Sequence, residues 1–294
     1  MPVRRAALFN EIEETNVKFT KMHGAGNDYV YVNGFREKVR NPANVAVAIS
    51  HRHFGVGSDG LIIINPSKVA DVRMEMYNAD GSLSRMCGNG VRCIAKYAWD
   101  HGLTRKKTVS VETPGGIKHV VLKFTRGEAT HARVDMGAPQ PLGDLCRLRG
   151  RDAEKRFHVE SLRLAGRTHR VHCVSMGNPH GVIFVPNVAK FPIEKTGPLA
   201  EHHRFFPHRC NIEFVEVVGR GEVRQRTWER GSGETWACGS GASAVAVACA
   251  TTGRTGRRVK VHLLGGTLDI EWAKDDHLYM TGPAEEVFSG EWPD

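Results

Sequence analysis

The chain lacks the features that mark several common classes of protein. None of its apolar runs comes near the ~20 residues that a membrane-spanning helix needs. The N-terminus has two arginines but no apolar core of a secretion signal. There is no C-x-x-C pair and no Cys/His cluster with zinc-ligand spacing. We therefore expect a cytoplasmic protein without a metal or membrane partner, and we expect residues 1–17 to form a short N-terminal extension.

Signatures of nucleic-acid binding are also missing. The net charge is +9 and the pI is about 9.3, but the basic residues are scattered and aromatic residues make up only 7% of the chain. This pattern favours a solvated basic surface and no nucleic-acid partner. One alternative of a different class stays open, a non-catalytic basic binding module. It predicts salt-dependent retention on nucleic acid and no effect of thiol alkylation.

The seven cysteines divide into two kinds. An odd number in a chain without a secretion signal argues against a disulfide framework. Cys93 and Cys249 fall within helical, Ala/Val-containing segments and are typical of small buried apolar residues. Cys87 and Cys238 differ, because each lies in a glycine-rich turn just before a predicted helix.

These two cysteines belong to an internal repeat with an offset of 151 residues. The same offset carries Asn27 onto Asn178 and Asn78 onto Glu229, and residues 76–95 align with 227–246 without a gap. Each of the asparagines 27 and 178 precedes its cysteine by 60 residues. The sequence therefore predicts two similar domains that face each other, each with an Asn loop and a Cys loop.

Alternating and apolar segments predict an α+β fold with more strands than helices. Helices are expected near 42–53, 88–101, 194–203 and 239–252. Strands are expected near 29–34, 61–65, 71–78, 109–114, 117–124, 171–176, 182–185, 212–218, 222–229, 259–266 and 277–282. The helix after each cysteine loop is mostly apolar, so we expect a sheet curled around it. The predicted domains are 18–137 plus 283–294, carrying Cys87, and 138–282, carrying Cys238.

A cysteine at a helix start is suited to acid–base chemistry. The unpaired N–H groups and partial positive charge of the helix lower a thiol pKa from ~8.5 and also bind anions. Two such loops can hold a substrate carboxylate between two helix ends, with its neighbouring carbon between two sulfurs. One thiolate then removes a proton from one face, and the opposite thiol delivers a proton to the other face. The stereocentre inverts.

Other roles for the cysteines fit less well. A single Cys-Gly turn is more often structural than catalytic. A hydrolase nucleophile needs only one such loop. A redox pair usually has its cysteines close in sequence. The duplication therefore favours the two-base reaction.

Seven segments of the chain together resemble diaminopimelate epimerase. They are TKMHGAGNDYV (20–30), YNADGS (77–82), MCGNGVRC (86–93), GNPH (177–180), NIEF (211–214), WERGSGET (228–235) and ACGSGA (237–242). The similarity runs from about residue 18 to the end. It implies a cofactor-independent conversion of LL-diaminopimelate to the meso form, in lysine and peptidoglycan precursor synthesis, by a homodimeric enzyme. The implied fold has two pseudo-symmetric domains, each with a mixed sheet around a central helix.

The resemblance also assigns roles to particular residues. Cys87 and Cys238 match the base and acid of the family, and His180 and Glu229 match residues near the thiols that assist proton transfer. The residues that match substrate contacts are Asn27, Asn78, Gly88, Asn89, Asn178, Asn211, Glu229, Arg230, Gly239 and Ser240. The planar guanidinium of Arg230 is suited to grip a distant carboxylate. Asp59 is expected to have a structural role.

Two departures from the family pattern are visible, of which Ser240 keeps the usual hydroxyl and Trp236, beside Cys238, leaves the substrate range open. Trp236 stands where the family more often has leucine or a polar residue, and Ser240 stands where it usually has threonine. Related two-cysteine racemases of proline, hydroxyproline or histidine therefore remain an alternative. A cysteine-free branch of the same fold is disfavoured by Cys87 and Cys238. No lysine lies in a recognisable pyridoxal-phosphate setting, which fits the absence of a cofactor.

Overall fold

A computed structural model describes residues 16–84, 87–148 and 150–293 of the chain. Most of the predicted extension, residues 1–15, lies outside these described residues. The first strand begins at Asn16, so the last two residues of the predicted extension belong to this strand. The alternating apolar side chains Val17 and Phe19 are buried, and this burial explains the earlier start of the strand.

The first half of the chain contains two helices and eight strands within the described residues. The helices are α1 (Pro42–Ser50) and α2 (Gly88–Asp100). The strands are β1 (Asn16–Gly24), β2 (Asn27–Asn33), β3 (Gly60–Asn65), β4 (Val72–Asn78), β5 (Leu83–Ser84), β6 (Thr108–Thr113), β7 (Gly116–Thr125) and β8 (Glu128–Gly137).

The second half repeats this order. Its helices are α3 (Ile193–Glu201) and α4 (Gly239–Thr251). Its strands are β9 (Phe157–Leu164), β10 (Arg167–Ser175), β11 (Pro179–Phe184), β12 (Asn211–Gly219), β13 (Glu222–Glu229), β14 (Gly233–Thr235), β15 (Arg258–Leu263), β16 (Gly266–Trp272), β17 (Leu278–Pro283) and β18 (Glu285–Pro293). Two short 3₁₀ turns, Gly143–Leu145 and Gly150–Glu154, lie between the halves. Helices α3 and α4 begin 151 residues after α1 and α2, so the offset found in the sequence extends to whole helices.

The strands form one continuous mixed sheet that curls twice. Strand β18 pairs with β1, and the pairing continues through β2, β3, β4, β6, β7 and β8. Strand β8 then pairs antiparallel with β17, and the second curl continues through β16, β15, β13, β12, β11, β10 and β9. The only parallel pairs among the described strands are β2–β3, β4–β6, β11–β12 and β13–β15.

Each curl of the sheet encloses one of the two cysteine-loop helices. Helix α2 packs its buried residues, including Val91, Ile94 and Ala98, against apolar side chains of the first half. The side chains of α4 are mostly alanine and valine, and nearly every side of the helix is buried against apolar residues of the second half. Small side chains let the strands approach α4 from several directions, which a helix with long apolar side chains would prevent. The prediction of an α+β fold with mixed sheets curled around central helices is confirmed.

Helices α1 and α3 lie on the outer faces of the two curls, each with its own apolar cluster. Helix α1 ends at Ser50, three residues earlier than predicted, because His51 adopts an extended conformation and closes the helix. The proposed division into domains at residues 137 and 283 stays a prediction. No helix among the described residues is long and apolar enough to cross a bilayer.

Candidate active site

Cys87 and Cys238 each occupy the N-cap of a central helix. Their backbones are extended, with φ of −131° at Cys87 and −126° at Cys238. Cys87 Sγ accepts a hydrogen bond from the Gly90 N–H at 3.3 Å, and Cys238 Sγ accepts one from the Gly241 N–H at 3.4 Å. Each sulfur therefore takes the place of the oxygen of an ordinary capping side chain and lies against the positive end of a helix.

The two thiols line the same cavity, which has a volume of about 230 Å³. Ten of the residues predicted from the sequence line this cavity: Asn27, Asn78, Cys87, Gly88, Asn89, Asn178, Glu229, Cys238, Gly239 and Ser240. Tyr29, Met76, Ser84, Met136 and Ala237 complete its wall. The fold thus brings together two loops that are 151 residues apart, and it places polar groups from both halves around one enclosed space.

Three predicted residues do not line the cavity. The side chain of His180 is fully buried and reaches the cavity only through Asn178. Asn211 is buried, donates to the Pro179 carbonyl and accepts from the Arg230 N–H at 2.9 Å. The Arg230 side chain is exposed, and its Nη1 donates to the His208 carbonyl at 3.1 Å. In this structure, therefore, its guanidinium does not line the cavity.

Asn27 is held in one orientation beside Cys87. Its Nδ2 donates to Asp59 Oδ2 at 2.7 Å, so its Oδ1 faces the thiol. That oxygen accepts from Cys87 Sγ at 3.3 Å and from Asn89 Nδ2 at 3.2 Å. A carboxylate behind the amide thus fixes which end of the amide meets the sulfur.

Asn178 is the equivalent of Asn27 and lies beside Cys238, but different groups hold its amide in place. Its Oδ1 accepts from His180 Nε2 at 3.0 Å, and its Nδ2 donates to Ser240 Oγ at 3.4 Å. Ser240 Oγ lies 3.6 Å from Cys238 Sγ. His180 Nδ1 is 2.8 Å from Glu213 Oε1, and both of these side chains are completely buried. The second thiol is therefore supported by a chain of polar groups that ends in a buried carboxylate.

Glu229 contributes a half-buried carboxylate to the cavity wall. Its Oε1 accepts a hydrogen bond of 2.5 Å from Thr235 Oγ1. Burial raises the pKa of Glu229 above its usual value, and the nearby carboxylate of Glu213 adds to this effect. A carboxyl group of this kind can hold or release a proton near neutral pH more readily than an exposed one.

The expectation that the helix starts lower both thiol pKa values is wrong for this structure. Burial raises the pKa of Cys87, and this effect outweighs the N–H groups of Gly90 and Asn89. Burial, reinforced by the carboxylates of Glu229 and Glu213, holds the pKa of Cys238 well above its usual range. For these thiols, desolvation of a thiolate costs more than the helix end returns.

The glycines after the cysteines leave room for Met280. A Cβ at Gly88 would lie 2.9 Å from Met280 Cε, and a Cβ at Gly239 would lie 3.0 Å from Met280 Sδ. The Met280 thioether therefore packs against the first residue of both helices. Neither glycine has a left-handed φ, so backbone conformation does not explain them. A larger residue is disfavoured at these positions because the Met280 side chain fills the space that its Cβ would occupy.

Sequence reasoning missed several residues that support the site. Asp59 was expected to be merely structural, although it orients Asn27. Glu213 lies within the quoted NIEF segment, and a carboxylate between the apolar residues Ile212 and Phe214 of a predicted strand is the signal that could have identified it. Met280 carries no polar signal and could not be found without the pairing of β17. Among the described residues, no group of three or more His, Cys, Asp or Glu is arranged to hold a metal ion.

Comparison with known proteins gives a consistent result. The family model described as diaminopimelate epimerase matches residues 19–142 and 172–287. A diaminopimelate epimerase of Agathobacter rectalis is 53% identical over 281 residues, covering 94% of this chain and 99% of the relative. One of Moorella thermoacetica is 49% identical over 277 residues, covering 94% and 99%.

Solved structures with low sequence identity share the fold. A phenazine biosynthesis protein of the PhzF family from Bacillus anthracis matches with a TM-score of 0.69 at 17% identity, covering 95% of this chain and 100% of that one. A probable proline racemase from Agrobacterium radiobacter matches with a TM-score of 0.65 at 13% identity, covering 93% and 92%. At these identities the likeness concerns the fold alone.

Proposed function

Since this chain belongs to the diaminopimelate epimerase family and is an isomerase, we propose that it converts LL-diaminopimelate to the meso form with Cys87 and Cys238 as the two bases. The observation that carries the proposal is that both thiols cap helices and line one small cavity. A carbon held between them can be deprotonated from one side and reprotonated from the other. No external cofactor takes part in this scheme.

The carboxylate next to the reacting carbon binds between the two helix starts. The first N–H groups of a helix have no partner within the helix, and glycine lets a ligand approach them closely. Gly88 and Asn89 supply this backbone on one side, and Gly239 and Ser240 supply it on the other. Their N–H groups stabilise the negative charge that develops when the α-proton leaves, and such stabilisation is commonly the largest contribution to catalysis.

The proton balance of one turnover is simple. One cysteine, as a thiolate, takes the α-proton and becomes a thiol, while the opposite thiol gives its proton to the other face and becomes a thiolate. The product therefore leaves the two cysteines in exchanged protonation states, and the reverse reaction restores them. Glu229 lines the cavity and acts as the group that takes up or returns a thiol proton between turnovers. His180 acts through Asn178 and Ser240 on the Cys238 side.

The far end of the substrate is assigned to Asn78, Asn178, Asn211, Glu229 and Arg230. Diaminopimelate carries an amino-carboxylate at each end, and a planar guanidinium suits the distant carboxylate. In the structure the guanidinium lies on the His208 carbonyl, while its backbone N–H is held by Asn211. Substrate binding therefore requires the Arg230 side chain to leave this carbonyl and turn toward the cavity.

The remaining expectations belong to the same proposal. We infer a homodimer located in the cytoplasm, with diaminopimelate as its small-molecule substrate and a role in lysine and peptidoglycan precursor synthesis. The support is the family membership of the chain, together with relatives that match it over nearly their whole length.

Proton NMR in D₂O tests the reaction and the substrate together. Purified enzyme, reductant and LL-diaminopimelate should give loss of the α-proton signal and appearance of the meso isomer without added cofactor. If exchange is absent with diaminopimelate but present with proline, hydroxyproline or histidine, the substrate assignment is wrong. If every amino acid fails to exchange, the alternative of a basic binding module gains support, and salt-dependent retention on nucleic acid then tests it.

A further inference from the structure

A completely buried arginine lies one turn after Cys87. Arg92 belongs to α2 and has no exposed surface. Its Nε donates to the Pro283 carbonyl at 3.2 Å, and its Nη1 donates to the Gly88 carbonyl at 3.4 Å. Its Nη1 also lies 3.5 Å from Met280 Sδ. Its Nη2 is buried and has no hydrogen-bond partner among the described residues. The guanidinium therefore connects the first turn of α2 to β17 by way of neutral acceptors.

Two glycines make the space for this guanidinium. A Cβ at Gly24 would lie 2.8 Å from Arg92 Nη2. A Cβ at Gly282 would meet the Leu268 side chain first and would lie 3.1 Å from Arg92 Cζ. Neither glycine has a left-handed φ, so backbone conformation does not explain them. The end of β1 is therefore shaped around the arginine side chain, and the end of β17 is shaped around this side chain together with Leu268. Because the neighbouring backbone leaves room for the guanidinium, the burial of this cation is a specific feature of the fold.

The charge in this space has no carboxylate to offset it. The ionisable groups that face Arg92 in the described part of the chain are Cys87, Cys93 and Tyr31. Burial raises the pKa of Cys93 to about 11 and that of Tyr31 well above its usual range, so neither carries charge at neutral pH. An uncompensated buried cation is costly, and the cost falls when negative charge develops nearby. Cys87 is the facing group that lines the substrate cavity.

The repeat shows that this cation belongs to one thiol only. The residue 151 positions after Arg92 is Ser243, whose Oγ donates to the Gly239 carbonyl at 3.0 Å. Two acidic residues show the opposite distribution, because they are present on the Cys238 side and absent from the equivalent positions on the Cys87 side. Glu213 and Glu229 on the Cys238 side correspond to Ile62 and Asn78 on the Cys87 side. The two halves of the cavity thus have similar backbones but different charged groups, because the buried arginine is found beside Cys87 only and the carboxylates at these two positions are found on the Cys238 side only.

We propose that Arg92 is a positioning residue that holds the Cys87 loop against β17 and makes Cys87, rather than Cys238, the first of the two cysteines to ionise in the free enzyme. The inference rests on the proposed function and gives the two similar bases different resting states. The titratable groups that face Cys87 are Arg92 and Cys93 on its own helix, Tyr29 and Tyr31 on β2, Asp59 behind Asn27, and Glu229 and Cys238 across the cavity. Arg92 is the only cation in that set.

The test measures thiol reactivity, which requires no substrate. The full-length protein is treated with iodoacetamide, a neutral reagent that alkylates a thiolate with loss of iodide, at a series of pH values. Peptide mass mapping then gives separate rates for Cys87 and Cys238. In the wild type, Cys87 should react at lower pH than Cys238. Arg92→Met should raise the midpoint of the Cys87 profile by about one pH unit, so that Cys87 reacts about tenfold more slowly at neutral pH.

The controls separate charge from structure. Lys96→Met removes a cation from the same helix one turn farther on, where the lysine bonds Asp100 and the Ala129 carbonyl, and it should leave both profiles unchanged. Arg92→Lys keeps the charge but not the guanidinium contacts. It should lower the thermal stability and yet keep the Cys87 midpoint near that of the wild type. This variant decides the question if Arg92→Met does not fold.

Three results would overturn the proposal: an unchanged Cys87 profile in Arg92→Met, an equal shift at Cys238, or a Cys87 midpoint in Arg92→Lys that lies about one pH unit or more above that of the wild type. Failure of the proposed function is a separate observation. It would show as absent α-proton exchange in a wild-type protein whose alkylation profiles still differ between the two cysteines.

Discussion

Asp59 Oδ2 accepts a hydrogen bond of 2.7 Å from Asn27 Nδ2, and this bond turns the Asn27 amide oxygen toward the Cys87 thiol, 3.3 Å away. The second half reaches a comparable arrangement by other means, since His180 donates to the amide oxygen of Asn178. The equivalent of Asp59 in the second half is Cys210, a buried thiol. The repeat therefore preserves the two asparagines while their supports differ.

Replacing Asp59 by asparagine should impair catalysis through Asn27. An asparagine at position 59 offers a donor as well as an acceptor, so the Asn27 amide can take either orientation and present its NH₂ group to Cys87. Hydrogen bonds to charged groups contribute about 1.5–3 kcal/mol. We expect kcat for epimerisation to fall about tenfold or more in Asp59→Asn, with a smaller change in KM, as measured by initial rates.

Arg52→Met is the matched control for this variant. Arg52 Nη2 lies 2.8 Å from Asp59 Oδ1, but its side chain is 57% exposed, so the pair contributes little. Its removal leaves the bond between Asp59 and Asn27 intact, and kcat should stay within about twofold of the wild type. Equal losses in the two variants would show that Asp59 acts through its ion pair and not through Asn27.

The repeat explains why the sequence predicts so much of this fold. The glycines and cysteines of the two loops recur at one offset, and the central helices follow them within a residue of the predicted bounds. The predicted strands do not include β1, β5, β8, β9, β14, β16 and β18. Strand β18 shows why: most of its residues are exposed, and it is defined by hydrogen bonds to β1 rather than by an apolar face. Pairing between distant segments leaves no local trace in the sequence.

The site was predictable where it depends on local motifs and not where it depends on packing. Cys87 and Cys238 follow from helix starts, and the residues of the motifs fall around one cavity. The pKa values of the two thiols could not be predicted from these motifs. The helix ends predict lowered thiol pKa values, whereas enclosure of the cavity raises them. Arg92 is a further example, because a basic residue on a helix is usually exposed and only the tertiary structure shows it to be completely buried.

Replacement of either cysteine by alanine should abolish epimerisation. Each variant lacks one of two proton-transfer groups, and such groups typically contribute about 10²–10⁴-fold to the rate. Binding of diaminopimelate, measured by calorimetry, should persist in Cys87→Ala and Cys238→Ala because the carboxylate is held by backbone N–H groups. Cys249→Ala serves as the control, since this cysteine is buried late in α4 away from the cavity. Turnover at the wild-type rate in either catalytic variant would contradict the two-base mechanism.

A single methyl group at Gly241 should disturb the Cys238 side of the site. A Cβ there would lie 2.5 Å from Glu213 Oε1 and 3.2 Å from Cys238 Sγ. Alanine favours a helix over glycine by about 1 kcal/mol, but the clash displaces a buried carboxylate that is bonded to His180. We expect Gly241→Ala to lower kcat about tenfold or more. Gly256→Ala has nothing within 4 Å of the added methyl and should keep full activity. Equal activity in the two variants would show that Glu213 tolerates displacement.

Alkaline pH should destabilise the fold through its buried thiols. Burial raises the pKa of Cys249 to about 12 from an ordinary value of 9.0. Below pH 9 the thiol is neutral in both the folded and the unfolded chain, so its contribution to stability is fully present. Above pH 9 only the unfolded chain ionises, and the free energy of unfolding falls by about 1.4 kcal/mol per pH unit for this group until the pH approaches 12.

The variant Cys249→Ala isolates this loss from that of the other titrating groups. Removal of the sulfur leaves a small cavity, so its free energy of unfolding at pH 7.5 should be about 1 kcal/mol lower than that of the wild type. Between pH 9 and pH 11 it should decline less steeply, by about 1.4 kcal/mol per pH unit. Urea unfolding with reductant at pH 7.5, 9, 10 and 11 measures both curves. Parallel curves would contradict this prediction. They would mean that the folded core tolerates the Cys249 thiolate, because water or the positive charge of Arg254 stabilises it.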